Sequence, residues 1–147
     1  MAATRRADVT WEGDLLSGGG VVSAGTSRAF SALPVSWASR TESAQGKTSP
    51  EELLAAAHAS CFAMALSFGL AGAGKPPKKL EVSASVTFDK VEAGWRVTSS
   101  ALTVRGVVPG MDAAGFRKAA DGAKDGCPIS QALKGNVKLS VEATLLT

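Results

Sequence analysis

The sequence holds two cysteines, one histidine and no basic run longer than Arg5-Arg6 or Lys78-Lys79. Each scarcity excludes something. Cys61 and Cys127 stand 66 positions apart, which is neither a Cys-x-x-Cys redox motif nor a usual zinc-ligand spacing. With His58 they make three candidate ligands without an indicated fourth, so no metal is expected. Weak basic patterning without interleaved aromatics, at a net charge of +3, does not make a nucleic-acid surface. Met1–Asp8 places no apolar core behind its arginines, so the expectation is no signal peptide and a cytoplasmic home. In that reducing compartment a disulfide is more often catalytic than structural. No repeat, low-complexity tract or linker interrupts the 147 residues, which read as a single domain, 1–147, long enough for a proper core.

Charge is also missing from Leu53 to Gly74, counting His58 as neutral. The segment starts as a helix should. Ser49 is a good N-cap, Pro50 suits the first helical position, and Glu52 completes a Ser-x-x-Glu capping box. Without a polar face, the helix is expected to be covered on nearly all sides. It has about the length of a membrane span. Its Ala, Ser and Gly content and its soluble-type start instead predict a buried core helix and no membrane.

Around it the chain reads as strands and short helices. Asp8–Gly13 alternates as a strand, Ser17–Gly20 turns, Val21-Val22 begins a second strand, and Ala29–Trp37 is extended around Pro34. Leu80, Val82, Ala84, Val86 and Phe88 alternate with more polar residues in a strand with one buried face. Asp89–Gly94 turns the chain into a return strand, whose change of apolar parity indicates a bulge near Ser99-Ser100. Asp112 is a plausible N-cap for a helix ending at Gly126, and Pro128 opens a short helix after Cys127. Val137 to Leu145 alternates as a last strand. The grouping predicts an α+β fold, a largely antiparallel sheet packed on the long central helix.

Several residues could carry chemistry. Cys61 shares a helical stripe with Leu54, His58, Ala65 and Phe68, so it is either small buried packing or a shielded nucleophile. Burial alone would raise its pKa; activity requires a nearby positive charge. Cys127, at an N-cap position, is either an incidental cap or a thiol acidified by a helix end. His58, one turn before Cys61, is either a Cys–His partner or a satisfied core histidine. Glu51 suits the positive end of the helix, and Arg40 reads as a loop arginine.

Two stretches decide between these readings by their wording. Thr48-Ser-Pro-Glu-Glu-Leu-Leu-Ala-Ala-Ala-His-Ala-Ser-Cys61-Phe-Ala-Met-Ala-Leu-Ser and Gly126-Cys-Pro-Ile-Ser-Gln-Ala-Leu133 closely resemble the OsmC/Ohr family of osmotically inducible and organic-hydroperoxide-resistance thiol peroxidases. The likeness extends to Val9–Asp14, Asp89–Gly94 and Val108–Ala113. The resemblance implies an OsmC-like fold, an intertwined homodimer, and reduction of organic hydroperoxides, with hydrogen peroxide a weaker substrate. It implies Cys61 as the peroxidatic cysteine, Cys127 as the resolving one, and Glu51 and Arg40 as the active-site carboxylate and its arginine. Arg40 lies about ten positions before Glu51, as in the OsmC branch, and Ala7–Ser27 holds no arginine, which favours OsmC over Ohr. Ser49 stands where many relatives have Asn, and both are good N-caps.

The chemistry implied needs no cofactor. Arg40, fixed by Glu51, would lower the Cys61 pKa and orient the peroxide. The thiolate becomes a sulfenic acid, Cys127 closes a disulfide, and an external dithiol of lipoyl type reduces it. Leu54, Phe62, Met64 and Phe68 would wall a substrate pocket suited to lipid or aryl hydroperoxides. Glu51 and Cys61 are ten residues apart on one helix, about 15 Å along its axis, too far for one arginine to touch both easily. Crossed central helices of two subunits, each site sharing residues from both, are therefore expected. The alternative is a non-catalytic member of the same fold that binds a small apolar ligand.

Overall fold

The structure is a computed structural model and describes Met1–Thr147. Its backbone divides into two compact units, Met1–Leu53 and Leu54–Thr147.

In the first unit, β1 (Ala7–Glu12), β2 (Gly19–Ala24) and β3 (Leu33–Val35) form an antiparallel sheet in that order. Pro34 sits on the edge strand, where a missing N–H costs no ladder bond. The extended stretch expected over Ala29–Trp37 is confined to the strand Leu33–Val35: Ala29 and Phe30 lie in a bend, Ala32 has a positive φ of 54°, and Trp37 is already helical. Ser36 is an N-cap whose side chain accepts from the Ser39 N–H while the Ser39 hydroxyl accepts from the Ser36 N–H. This capping box starts α1 (Trp37–Thr41), so Arg40 lies on a short helix rather than in a loop.

Helix α2 (Pro50–Gly72) gives its first turn to this unit and the rest to the second. Ser49 caps it by accepting from the Glu52 N–H at 3.1 Å. The capping box is only half made, because the Glu52 carboxylate accepts from the Thr48 hydroxyl at 2.8 Å.

In the second unit, β4 (Lys79–Val91) pairs antiparallel with β5 (Gly94–Val107), and β5 pairs parallel with β6 (Lys138–Leu146). The ladder shifts between Thr87 and Phe88, which face Ser99 and Val97, so Thr98 is the extra residue of a bulge beside the expected position. α3 (Ala113–Gly126) is capped by Asp112 and followed by α4 (Pro128–Leu133). Two periodicities meet in the core. Every fourth residue of α2 (His58, Phe62, Leu66, Leu70) and every second residue of β5 (Ser100, Leu102, Val104) is buried. Phe116, Ala120 and Ala123 of α3 complete it. At Gly106 a side chain would run into the Phe116 ring, so only glycine allows α3 to sit this close to β5.

Helix α2 is long and apolar enough to cross a membrane. One stripe of it forms this core. Within the chain it is not covered on all sides as its composition suggests, because Met64 is 72% and Phe68 83% exposed. An uncharged helix face need not be covered by its own subunit.

Candidate active site

Arg40 and Glu51 form a charged pair within the first unit. Arg40 Nε donates to both Glu51 carboxylate oxygens at 3.1 Å, and Nη2 donates to Oε1 at 2.7 Å. Such a fork fixes the guanidinium plane as a single ion pair would not. Glu51 is 7% exposed, and the helix start at which it sits favours its charge. One turn before Arg40 on α1, the Trp37 ring lies with its centroid 5.9 Å from the guanidinium carbon, within cation–π range. A cavity of about 330 Å³ adjoins them, with Val9, Trp11, Val22 and Leu53 among its walls and Arg40 at its lining. Its walls are mostly apolar, with Arg40 and Ser36 the polar exceptions, a combination suited to an apolar ligand with a polar end.

The second unit brings the two cysteines together across 66 residues. Their Sγ atoms stand 2.7 Å apart and unbonded. Cys127 follows Phe116, Ala120 and Ala123 at helical spacing and shares their buried stripe, at 0% exposure, while Cys61 is half-buried. Its N–H closes α3 on the Ala123 carbonyl at 2.9 Å, and its carbonyl accepts the Gln131 N–H of α4 at 3.0 Å. The residue is held by the backbone of both helices, and its side chain makes no capping bond. Burial pushes the Cys61 thiol up, the Cys127 thiol pushes it further, and a hydrogen bond from the Ile129 N–H opposes them. Within one chain, then, Cys61 is shielded but held towards its protonated form.

His58 is fully buried and satisfied. Nδ1 lies 2.6 Å from Ser100 Oγ and Nε2 lies 2.8 Å from Ser130 Oγ. In a neutral ring one nitrogen donates and the other accepts, and the two hydroxyls complement either tautomer. Burial lowers the His58 pKa, which keeps it neutral. The core-histidine reading is the one that holds. No group of three or more His, Cys, Asp or Glu side chains is placed to hold a metal ion.

Sequence reasoning missed Ser100 and Ser130. The first had a signal: it occupies the inward parity of Leu102 and Val104, where a hydroxyl needs a buried partner. Ser130, on a six-residue helix, had none.

A model of the OsmC-like protein family matches residues 42–142. The chain belongs to the OsmC-like family. It is 42% identical over 97% of its length to the peroxiredoxin OsmC of Escherichia coli (strain K12), covering 98% of that protein. It is 33% identical over 64% of its length to an organic hydroperoxide resistance protein of Xanthomonas axonopodis pv. citri, covering 65% of it. Among solved structures, the organic hydroperoxide resistance protein OhrB of Bacillus subtilis superposes with a TM-score of 0.75 at 24% identity, covering 95% of this chain and 98% of that one. That likeness bears on the fold alone.

The four apolar residues read from α2 as a pocket wall part company in this OsmC-like chain. Phe62 is a core side chain at 0% exposure, Leu54 is half-buried, and Met64 and Phe68 face outward. A mostly apolar groove of about 610 Å³ continues from Phe68 along α2 and α3, with Leu70, Met111 and Ala119 among its lining residues and Lys75 and Lys118 its charged ones.

Proposed function

We propose that this chain is a cysteine-based peroxidase that reduces organic hydroperoxides, and hydrogen peroxide more weakly, in cytoplasmic defence against oxidative and osmotic stress. The observation that carries the reading is the approach of Cys61 and Cys127 to 2.7 Å, within easy reach of a disulfide. The relatives named peroxiredoxin OsmC and organic hydroperoxide resistance protein support it.

The reaction balances without a cofactor. The Cys61 thiolate attacks the O–O bond, the alkoxide leaves and takes a proton to become the alcohol, and Cys61 becomes a sulfenic acid. The Cys127 sulfur attacks that sulfenic sulfur, water leaves, and a Cys61–Cys127 disulfide forms. An external dithiol of lipoyl type exchanges with it, restoring two thiols and becoming a cyclic disulfide itself.

Activation is assigned to a homodimer. The exposed Met64 and Phe68 and the adjoining groove are an apolar surface that a second copy would cover. In the dimer, central helices cross, and Arg40 of the partner subunit, held by its own Glu51, faces Cys61. Its positive charge counters the burial that raises the Cys61 thiol, and it orients the peroxide oxygens. Leu54, Met64 and Phe68, with Phe62 behind them in the core, line the apolar side of the substrate site. The cavity beside Arg40 receives the rest of the organic group.

Steady-state turnover of hydrogen peroxide, an alkyl hydroperoxide and a fatty-acid hydroperoxide, compared with a dithiol reductant, tests the reading. The organic substrates are expected to show the higher kcat/KM. Equal values would remove the apolar pocket from the account, and no turnover of any would remove the peroxidase.

A further inference from the structure

His58 is a fully buried titratable side chain that the two-cysteine chemistry does not call upon. Its surroundings are specific. It lies one helical turn before Cys61 on α2, and Ser130 lies one turn after Cys127 at the start of α4. α2 and α4 are therefore joined by two neighbouring rungs: Cys61 Sγ to Cys127 Sγ at 2.7 Å, and His58 Nε2 to Ser130 Oγ at 2.8 Å. The other ring nitrogen is tied to Ser100 of β5, which holds the imidazole from the sheet rather than from α4.

We infer that His58 is a positioning residue that acts through Ser130: it seats α4 on α2, holds Cys127 against Cys61, and so sets how readily their disulfide closes. The inference rests on the two-cysteine reading above. Its physical basis is the asymmetry of buried hydrogen bonds. Lifting α4 would strip His58 of a partner in an apolar core, where an unmade bond costs more than a made one contributes. The seated arrangement is thereby favoured and Cys127 is presented to Cys61 at a high effective concentration. A six-residue helix with no side-chain cap at Cys127 has little of its own to fix that geometry.

Thiol–disulfide equilibrium measures that effective concentration directly, without peroxide. Two glutathione molecules reduce the Cys61–Cys127 disulfide to two thiols and become glutathione disulfide, so the extent of oxidation across glutathione buffers gives the equilibrium constant. The full-length protein would be compared with Ser130→Ala, Ser100→Ala and His58→Leu, with denaturant melts establishing that each variant is folded. Ser130→Ala and His58→Leu are expected to shift the equilibrium towards the dithiol by about tenfold, as for one lost buried hydrogen bond. Ser100→Ala, which loses a bond of the same kind at the same burial, is expected to stay within about twofold of the parent. Should His58→Leu fail to fold, the two serine variants decide alone. Equal shifts in both serine variants, or no shift in Ser130→Ala, would overturn the positioning role. The outcome is independent of catalysis: a wild-type protein that makes the disulfide yet consumes no hydroperoxide would overturn the peroxidase and leave this clamp intact.

Discussion

Arg40 grips both oxygens of Glu51, a carboxylate that is almost sealed from water, with contacts of 2.7 to 3.1 Å. The pair is held in place within the first unit before any ligand arrives. Replacing Arg40 by Met leaves the Glu51 carboxylate buried and unpaired. With Arg40 itself 29% exposed, the stability cost is expected to be about 1–3 kcal/mol, below the range for a wholly buried pair. Hydroperoxide turnover should fall by about a hundredfold or more. Glu51→Gln, which keeps the shape, should cost less stability but still lose turnover, because the fork no longer fixes the guanidinium plane. Urea melts and steady-state kinetics on the same preparations separate the two effects.

Cross-subunit activation has its own signature. Arg40→Met and Cys61→Ser are each expected to be inactive alone. Unfolded together and refolded, they should form heterodimers in which one site again has both Cys61 and an intact partner arginine. Turnover near a quarter of wild type is expected from about half the dimers being mixed with one working site each. An arginine acting within its own subunit would give no recovery.

The exposed apolar face of α2 should govern self-association. A Met64→Asp/Phe68→Asp variant is expected to sediment as a monomer where the wild type sediments as a dimer. Its Cys61 thiol, left with the burial and the neighbouring thiol that push it up, should alkylate more slowly at neutral pH than that of the dimer.

How legible all this is in the sequence depends on the element. The Ser49 cap, the alternation of Leu80 to Phe88, the Asp112 cap and the helix stop at Gly126 are local signals, and the structure follows them. The bulge appeared as a parity change one residue from where it lies. What local pattern could not show is what distant segments supply. The start of α1 depends on a Ser36–Ser39 box inside an apparently extended run. The meetings of Cys61 with Cys127 and of His58 with Ser130 depend on how α4 packs back on α2, and that of His58 with Ser100 on how β5 does. The exposure of Met64 and Phe68 is invisible to composition, because an apolar residue on an outward helix face reads the same as one bound for the core.

His58 should make stability depend on pH with a definite sign. Burial depresses its folded pKa, so the unfolded chain binds a proton that the native chain resists. The stabilisation is fully present above the ordinary histidine value of about 6.5 and is lost as pH falls through the depressed folded value. Denaturant midpoints above and below that pH should therefore differ more for wild type than for His58→Gln, which carries no titrating ring. Equal differences would place the acid sensitivity elsewhere.

The most direct measurement treats the reduced protein with one equivalent of cumene hydroperoxide and follows peroxide loss and protein mass together. Wild type is expected to consume the peroxide and lose two hydrogen atoms as the Cys61–Cys127 disulfide forms, Cys127→Ser to stop at a Cys61 sulfenic acid trapped by dimedone, and Cys61→Ser to consume nothing. Undiminished peroxide loss in Cys61→Ser, or wild-type thiols that stay reduced while peroxide persists, would contradict it.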